Sequence, residues 1–248
     1  MKILLSGING AMGKEVVKLI KAGCRGMELT AGVDIKADSA CDVPCAADFE
    51  HACTDVDCII DFSHHSLTEQ LLGFAVNNNI PLVLATTGQT DEERAAIEEA
   101  SKKIPLFFAA NYSLGVALLI ELAKKAAATM PDAEIEIVEQ HHNRKLDAPS
   151  GTALAIAKEL QTVRTDAEIV TGRSGMGKRK PTDIGISAVR MGNIVGIHEV
   201  LIGTQNQTIT LKHEAHSRAL FAEGALSAAE FLVGKPAGLY DMKSIVKM

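Results

Sequence analysis

The first 130 residues alternate short apolar runs with helix-spaced patterns, and this rhythm limits the fold more than any other feature. Residues 3–6, 29–34, 57–63, 81–86 and 105–110 are runs of strand length. After the first run, Met12, Val16, Leu19 and Ile20 recur at helical spacing. Ser66 with Glu69 and Thr90 with Glu93 have the spacing of capping boxes, and Ser113 opens a long apolar helix to about residue 130. Apolar strands separated by helices pair in parallel and must be covered on both faces. The chain therefore reads as an α/β protein with a Rossmann-like parallel sheet and helices on both faces.

The rhythm changes after Pro131. Residues 133–142 alternate Ile and Glu, the pattern of a strand with one wet face. A helix over 151–160 follows, then a Gly- and Lys/Arg-rich stretch over 171–181 whose Arg173, Lys178, Arg179 and Lys180 read as a solvated loop. Residues 184–190, 195–202 and 207–214 read as strands joined by hairpin turns at Met191-Gly192-Asn193 and Gly203-Thr204-Gln205-Asn206. These features predict a second, α+β domain, after which residues 218–232 return to helix.

Composition excludes several classes. With 248 residues the chain suits one large domain or two modest ones. A net charge of −6 argues against nucleic acid, whose phosphates need a basic face. No apolar run reaches the ~20 residues of a membrane span. The opening Met1-Lys2-Ile3-Leu4-Leu5 is strand-like, without a basic leader, which predicts a protein that stays in the cytoplasm. The five cysteines are odd in number and crowd into the first quarter, which suits reduced thiols. Cys41, Cys45, His51 and Cys53 lack paired zinc-ligand spacing, so no metal is expected.

Gly7-Ile8-Asn9-Gly10-Ala11-Met12-Gly13 lies between the first strand and the first helix. Glycines there let the backbone approach a pyrophosphate, and the helix N-terminus turns free N–H groups toward it. Asp34 closes the second strand 21 residues after Gly13, where a carboxylate can accept bonds from a ribose. Other strands end at Phe62-Ser63, Thr86-Thr87-Gly88 and Ala110-Asn111, and ligands of open parallel sheets bind outside those ends. The expected cofactor is NADH, NADPH or either: Asp34 repels a 2′-phosphate, and Lys36 softens that repulsion.

The segment Glu139-Gln140-His141-His142-Asn143-Arg144-Lys145-Leu146-Asp147-Ala148-Pro149-Ser150-Gly151-Thr152-Ala153 carries the chemistry. Adjacent histidines in extended chain point to opposite faces, so they make poor joint metal ligands. His141 shares the inward parity of Ile135 and Ile137 and can exchange protons near neutral pH. Lys145 supplies a compact cation. Ser150 reads as an N-cap, leaving the amides of Gly151 and Thr152 for an anion. The bland alternative is a capped helix after a solvated loop, with a core histidine.

His-His-x-x-Lys-x-Asp-Ala-Pro-Ser-Gly-Thr-Ala resembles the signature of the dihydrodipicolinate reductase family. The likeness extends over the whole chain, through Ile60-Asp61-Phe62-Ser63, Asn111-Tyr112-Ser113-x-Gly115-Val116, Arg190-x-Gly192-x-Ile194-Val195-Gly196-x-His198, His213-x-Ala215-x-Ser217-Arg218 and Gly238-Leu239-Tyr240-Asp241-Met242. His64-His65 departs from the family's more frequent Arg or His followed by Pro. The resemblance implies a dinucleotide-binding domain over 1–112 and 219–248, and a substrate-binding domain over 113–218 that builds a homotetramer. It implies hydride transfer to a cyclic unsaturated dicarboxylate in lysine biosynthesis, with His141 and Lys145 as the catalytic pair. His142, Lys145, Ser150, Gly151 and Thr152 then hold a substrate carboxylate. A regulator that binds NADH without turnover would normally add a basic DNA-binding element, and none is found in the sequence.

Overall fold

The computed structural model describes residues 1–36 and 43–246, so Cys41, weighed above for a metal, lies outside the described residues. The chain divides into two compact units, residues 1–113 with the segment from 219, and residues 114–218.

In the first unit, with elements numbered along the whole chain, seven strands form one sheet. They are β1 (Lys2–Ser6), β2 (Glu28–Val33), β3 (Cys45–Ala46), β4 (Cys58–Asp61), β5 (Leu82–Leu84), β6 (Pro105–Phe108) and β12 (Gly238–Tyr240). The helices are α1 (Ala11–Lys21), α2 (Thr68–Asn77), α3 (Asp91–Ser101), α6 (Ala219–Leu232) and α7 (Met242–Ile245). Strand order is β12-β6-β5-β4-β1-β2-β3, all parallel. The central strands are buried throughout because their residues, such as Leu4, Ile59, Ile60, Leu82 and Val83, are apolar on both faces. Each such side chain contributes about 1.5–3 kcal/mol on burial.

Register places Val33, Ser6, Asp61, Leu84 and Phe108 in one row across the sheet. Asp34, Gly7, Phe62 and the residues leading to Thr86 and Ala110 all follow that row. Parallel strands thus deliver the predicted cofactor residues to one crest.

The Thr90–Glu93 capping box forms. The Ser66–Glu69 box does not: α2 begins at Thr68, after a 3-10 turn over His65–Leu67. His64 takes over the cap, its Nδ1 accepting the Ser66 amide at 3.3 Å and lying 2.9 Å from the Ser66 hydroxyl.

The second unit holds α4 (Leu114–Thr129), β7 (Glu134–His141), α5 (Gly151–Gln161), β8 (Glu168–Thr171), β9 (Asp183–Arg190), β10 (Gly196–Gly203) and β11 (Thr208–Ala215). Its strand order is β11-β10-β7-β9-β8. β10 and β11 form the expected antiparallel pair. β9 and β10 do not: β7 lies between them, parallel to β9 and antiparallel to β10. The Met191-Gly192-Asn193 turn instead crosses the end of β7, where Met191 N donates to His141 O at 2.9 Å and His142 N to Ile194 O at 2.8 Å. A turn sequence announces a change of direction, not which strand fills the gap. Ile135, Ile137, Ile156, Leu160, Ile186 and Val200 form the core of this unit.

The basic stretch after β8 is an exposed loop, as expected, but three of its four basic side chains are paired. Arg173 pairs with Glu136 at 3.3 Å and Asp183 at 3.2 Å, Arg179 with Glu136 at 3.3 Å, and Lys180 with Glu168 at 3.2 Å. Alternating Ile and Glu in β7 gives these arginines an acidic wet face to lie on.

Candidate active site

The crest of the first unit has the form of a dinucleotide cradle. Gly7 has φ +76°, and a Cβ there would stand 2.4 Å from Phe62 O; one on Gly13 would stand 2.2 Å from Gly7 O. Only glycine fits either place, so β1, the turn and α1 close tightly. Gly10 is the N-cap of α1 in extended conformation, without a side-chain cap, and Ala11 and Met12 begin the helix. Asp34 accepts the Asn9 amide at 2.9 Å and the Lys36 amide at 3.1 Å, which locks the β2 end against the glycine turn. A cavity of about 260 Å³ opens here, lined by Gly7, Gly10, Asp34, Phe62 and His64 among others. The buried hydroxyls of Ser6 and Ser63 stand on this wall and help to hold the Asp61 carboxylate. Backbone that excludes a Cβ fits the close approach of a dinucleotide's pyrophosphate.

Thr86 is committed elsewhere: its hydroxyl donates to Asp61 at 2.5 Å. Burial pushes the Asp61 carboxyl above the usual carboxylate range, and the Thr86 hydroxyl only partly offsets this. Thr87, Gly88 and Ala110 are exposed beyond the strand ends. Asn111 Oδ1 accepts the Ser113 amide at 2.8 Å.

In the second unit, His141 ends β7 on its buried face and His142 turns to the other side, half-buried. His141 Nδ1 lies 2.5 Å from Glu139 Oε2. Its ring leans over Gly196, where a Cβ would come within 3.1 Å of Nε2. Glu139 is fully buried and also takes both forks of Arg190 at 2.9 and 2.7 Å and the Ser150 amide at 2.9 Å. Burial is the largest single influence on its carboxyl and acts upward, but the three partners together hold it below the usual range.

Ser150 caps α5, its hydroxyl accepting the Ala153 amide at 3.2 Å, and lies 3.1 Å from His198 Nε2. His198 stands edge-on to His141, with ring centroids 5.2 Å apart. Burial first, and the neighbouring His141 second, push His198 down to about 4, so it is neutral at neutral pH. The His142 imidazole is also pushed down by burial, then by Arg144 and Arg218, and its buried Nδ1 has no partner among the described residues.

Lys145 Nζ pairs with Asp147 Oδ1 at 2.8 Å and, with a smaller contribution from the Gly151 amide, holds the Asp147 carboxyl below the usual carboxylate range. An acid of the same loop thus stands close to the amide expected to be open. Thr152 occupies the first turn of α5, beside them. Glu139, Arg190 and His198 belong to this cluster, although residue type and spacing alone assign them no role. Parity held the signal: Glu139 shares the inward face with Ile135, Ile137 and His141, and His198 with Val200 and Ile202. Among the described residues, no group of three or more His, Cys, Asp and Glu is placed to hold a metal.

A buried histidine–carboxylate pair next to a lysine and a helix start, on a chain whose other unit is a dinucleotide-type crest, agrees with what the comparisons find. Residues 1–112 match the family model described as dihydrodipicolinate reductase, N-terminus, and residues 115–246 that described as dihydrodipicolinate reductase, C-terminus. The chain belongs to the dihydrodipicolinate reductase family. It is 47% identical over 249 residues to the 4-hydroxy-tetrahydrodipicolinate reductase of Caldanaerobacter subterraneus subsp. tengcongensis, covering all of this chain and 98% of that one. The Clostridium novyi reductase of the same name is 39% identical, covering 99% of this chain and 98% of that one. Among solved structures, the dipicolinate-bound dihydrodipicolinate reductase from Paenisporosarcina sp. TG-14 aligns with a TM-score of 0.83 at 25% identity, over 99% of both chains. An aspartate dehydrogenase from Thermotoga maritima aligns with a TM-score of 0.54 at 15% identity, covering 95% of this chain and 98% of that one, a likeness of fold alone. The Rossmann-like class expected from the sequence is the class of this reductase family.

Proposed function

We propose that the protein reduces 4-hydroxy-tetrahydrodipicolinate (dihydrodipicolinate) to tetrahydrodipicolinate, using NADH or NADPH, in the diaminopimelate route to lysine. The observation that carries this reading is the anion cradle after β7. Lys145 Nζ already holds a carboxylate, that of Asp147, close to the first amide of α5. The same donors suit one carboxylate of a small dicarboxylate substrate, with His142, Ser150, Gly151 and Thr152 around it. Focused positive charge in an acidic protein fits a dianion better than a basic surface would.

Gly7, Asn9, Gly10, Ala11, Met12 and Gly13 would hold the pyrophosphate end of the cofactor and Asp34 its ribose. Phe62, Thr86, Thr87, Gly88, Ala110 and Asn111 would border the nicotinamide end. The reduced nicotinamide, when bound, supplies the hydride, and the substrate's 4-hydroxyl leaves with a proton as water, so hydride and proton enter and water departs. Lys145 holds substrate charge, and His141 handles the proton, with Nε2 as its exchanging atom. His142, neutral at neutral pH, offers a hydrogen bond rather than a charge. The same reading carries a cytoplasmic homotetramer assembled through the second unit. Among the described residues no helix is long and apolar enough to cross a membrane.

The test is turnover. The purified protein is mixed with NADH or NADPH and the fresh condensation product of pyruvate and aspartate semialdehyde, and nicotinamide absorbance is followed. Oxidation that needs both reactants supports the reading; no oxidation with either cofactor removes it.

A further inference from the structure

Glu139 is an ionised acid with no exposed surface, placed two residues before His141 on the same face of β7. Its four contacts come from three separate places in the sequence. Oε2 faces His141 Nδ1 and Arg190 Nη1; Oε1 accepts Arg190 Nη2 and the Ser150 amide. Arg190 also donates to Asp147 O at 2.6 Å, which fastens the loop between β7 and α5. A buried ion pair is a poor source of stability compared with apolar packing. Its value lies in what it orients.

An ionised carboxylate only accepts hydrogen bonds, so the imidazole nitrogen facing it must carry the proton. We propose that Glu139, gripped by the Arg190 fork, is a positioning residue that holds His141 with its proton on Nδ1 and leaves Nε2 to exchange the proton of the reaction. By accepting the Ser150 amide, Glu139 fixes the start of α5 relative to that nitrogen. The inference rests on the reading that His141 handles the proton.

Glu139→Gln supplies a sharp test. The amide oxygen of the glutamine is claimed by Arg190 Nη2 and the Ser150 amide, so its NH₂ takes the place of Oε2, facing His141 Nδ1 and losing the bond to Arg190 Nη1. A donor at Nδ1 drives the imidazole proton to Nε2. Nitrogen-15 spectra of histidine-labelled protein, with His141 assigned through His141→Asn, should show a protonated Nδ1 and bare Nε2 in the native chain and the reverse in the variant. The kcat of Glu139→Gln should fall roughly a hundredfold or more, with KM changed less than about threefold and cofactor binding intact. Glu139→Asp, which restores the charge, should regain part of the loss.

A native spectrum with the proton on Nε2 overturns the proposal and needs no variant to fold. Unaltered kcat in Glu139→Gln, with His141→Asn inactive, overturns it while leaving the reaction assignment standing. Full activity in His141→Asn instead removes the assignment of His141 on which it rests.

Discussion

Two buried acids end two inner strands of this molecule, and their surroundings differ in kind. Asp61 at the end of β4 is held by the Thr86 hydroxyl and, at 3.3 Å, the Ser63 amide, all neutral donors, and burial pushes its carboxyl up. Glu139 near the end of β7 is held by a guanidinium, an imidazole and an amide, which keep it down despite burial. The first unit is organised by shape and backbone, as suits a cofactor whose pyrophosphate meets main-chain amides. The second is organised by charge, as suits proton transfer and a dianion.

Substitutions that remove shape should break the first unit's work and spare the second's. The largest effect is expected from Gly7→Val, which forces a branched side chain into φ +76° and onto Phe62 O. NADH binding, followed by its fluorescence, should disappear, while dipicolinate binding, measured by calorimetry, persists.

Lys145→Ala reverses the pattern. It should lower kcat/KM roughly 10²- to 10⁴-fold in steady-state assays. Asp147→Asn is gentler and of opposite sign: it removes the internal carboxylate that competes for Lys145 and the Gly151 amide. An exposed pair is worth about 0.2–1 kcal/mol, so substrate KM should fall by up to roughly fivefold. A rise in KM would mean that Asp147 orders the loop instead.

The smallest effect concerns acid stability. His198 is pushed from the ordinary 6.5 to about 4 when folded, so the unfolded chain binds its proton first as pH falls. Its contribution is full above about 6.5 and is lost between there and about 4. The melting temperature of the second unit should drop across that window, and His198→Gln should flatten the drop.

Much of this was legible locally. The glycine turn, its helix and the largely apolar strands β1, β4 and β5 follow from short stretches of chain. What escaped was set by distant partners. β3, β8 and β12 are two to four residues long and leave too little pattern to read. The insertion of β7 between β9 and β10 depends on pairing across more than 40 residues. Arg173 and Arg179 announced charge but not the Glu136 that receives it. His141 and Lys145 were visible by residue type. Glu139 was hidden because the alternation of Ile and Glu in β7 changes phase at Val138, which turns an acid inward.

The division of labour between the two units is tested most directly by measuring two affinities on Lys145→Ala, that for NADH and that for dipicolinate, against the unaltered chain. The account predicts an unchanged affinity for NADH and a dicarboxylate affinity weakened at least tenfold. Loss of NADH binding with dipicolinate binding retained would contradict it.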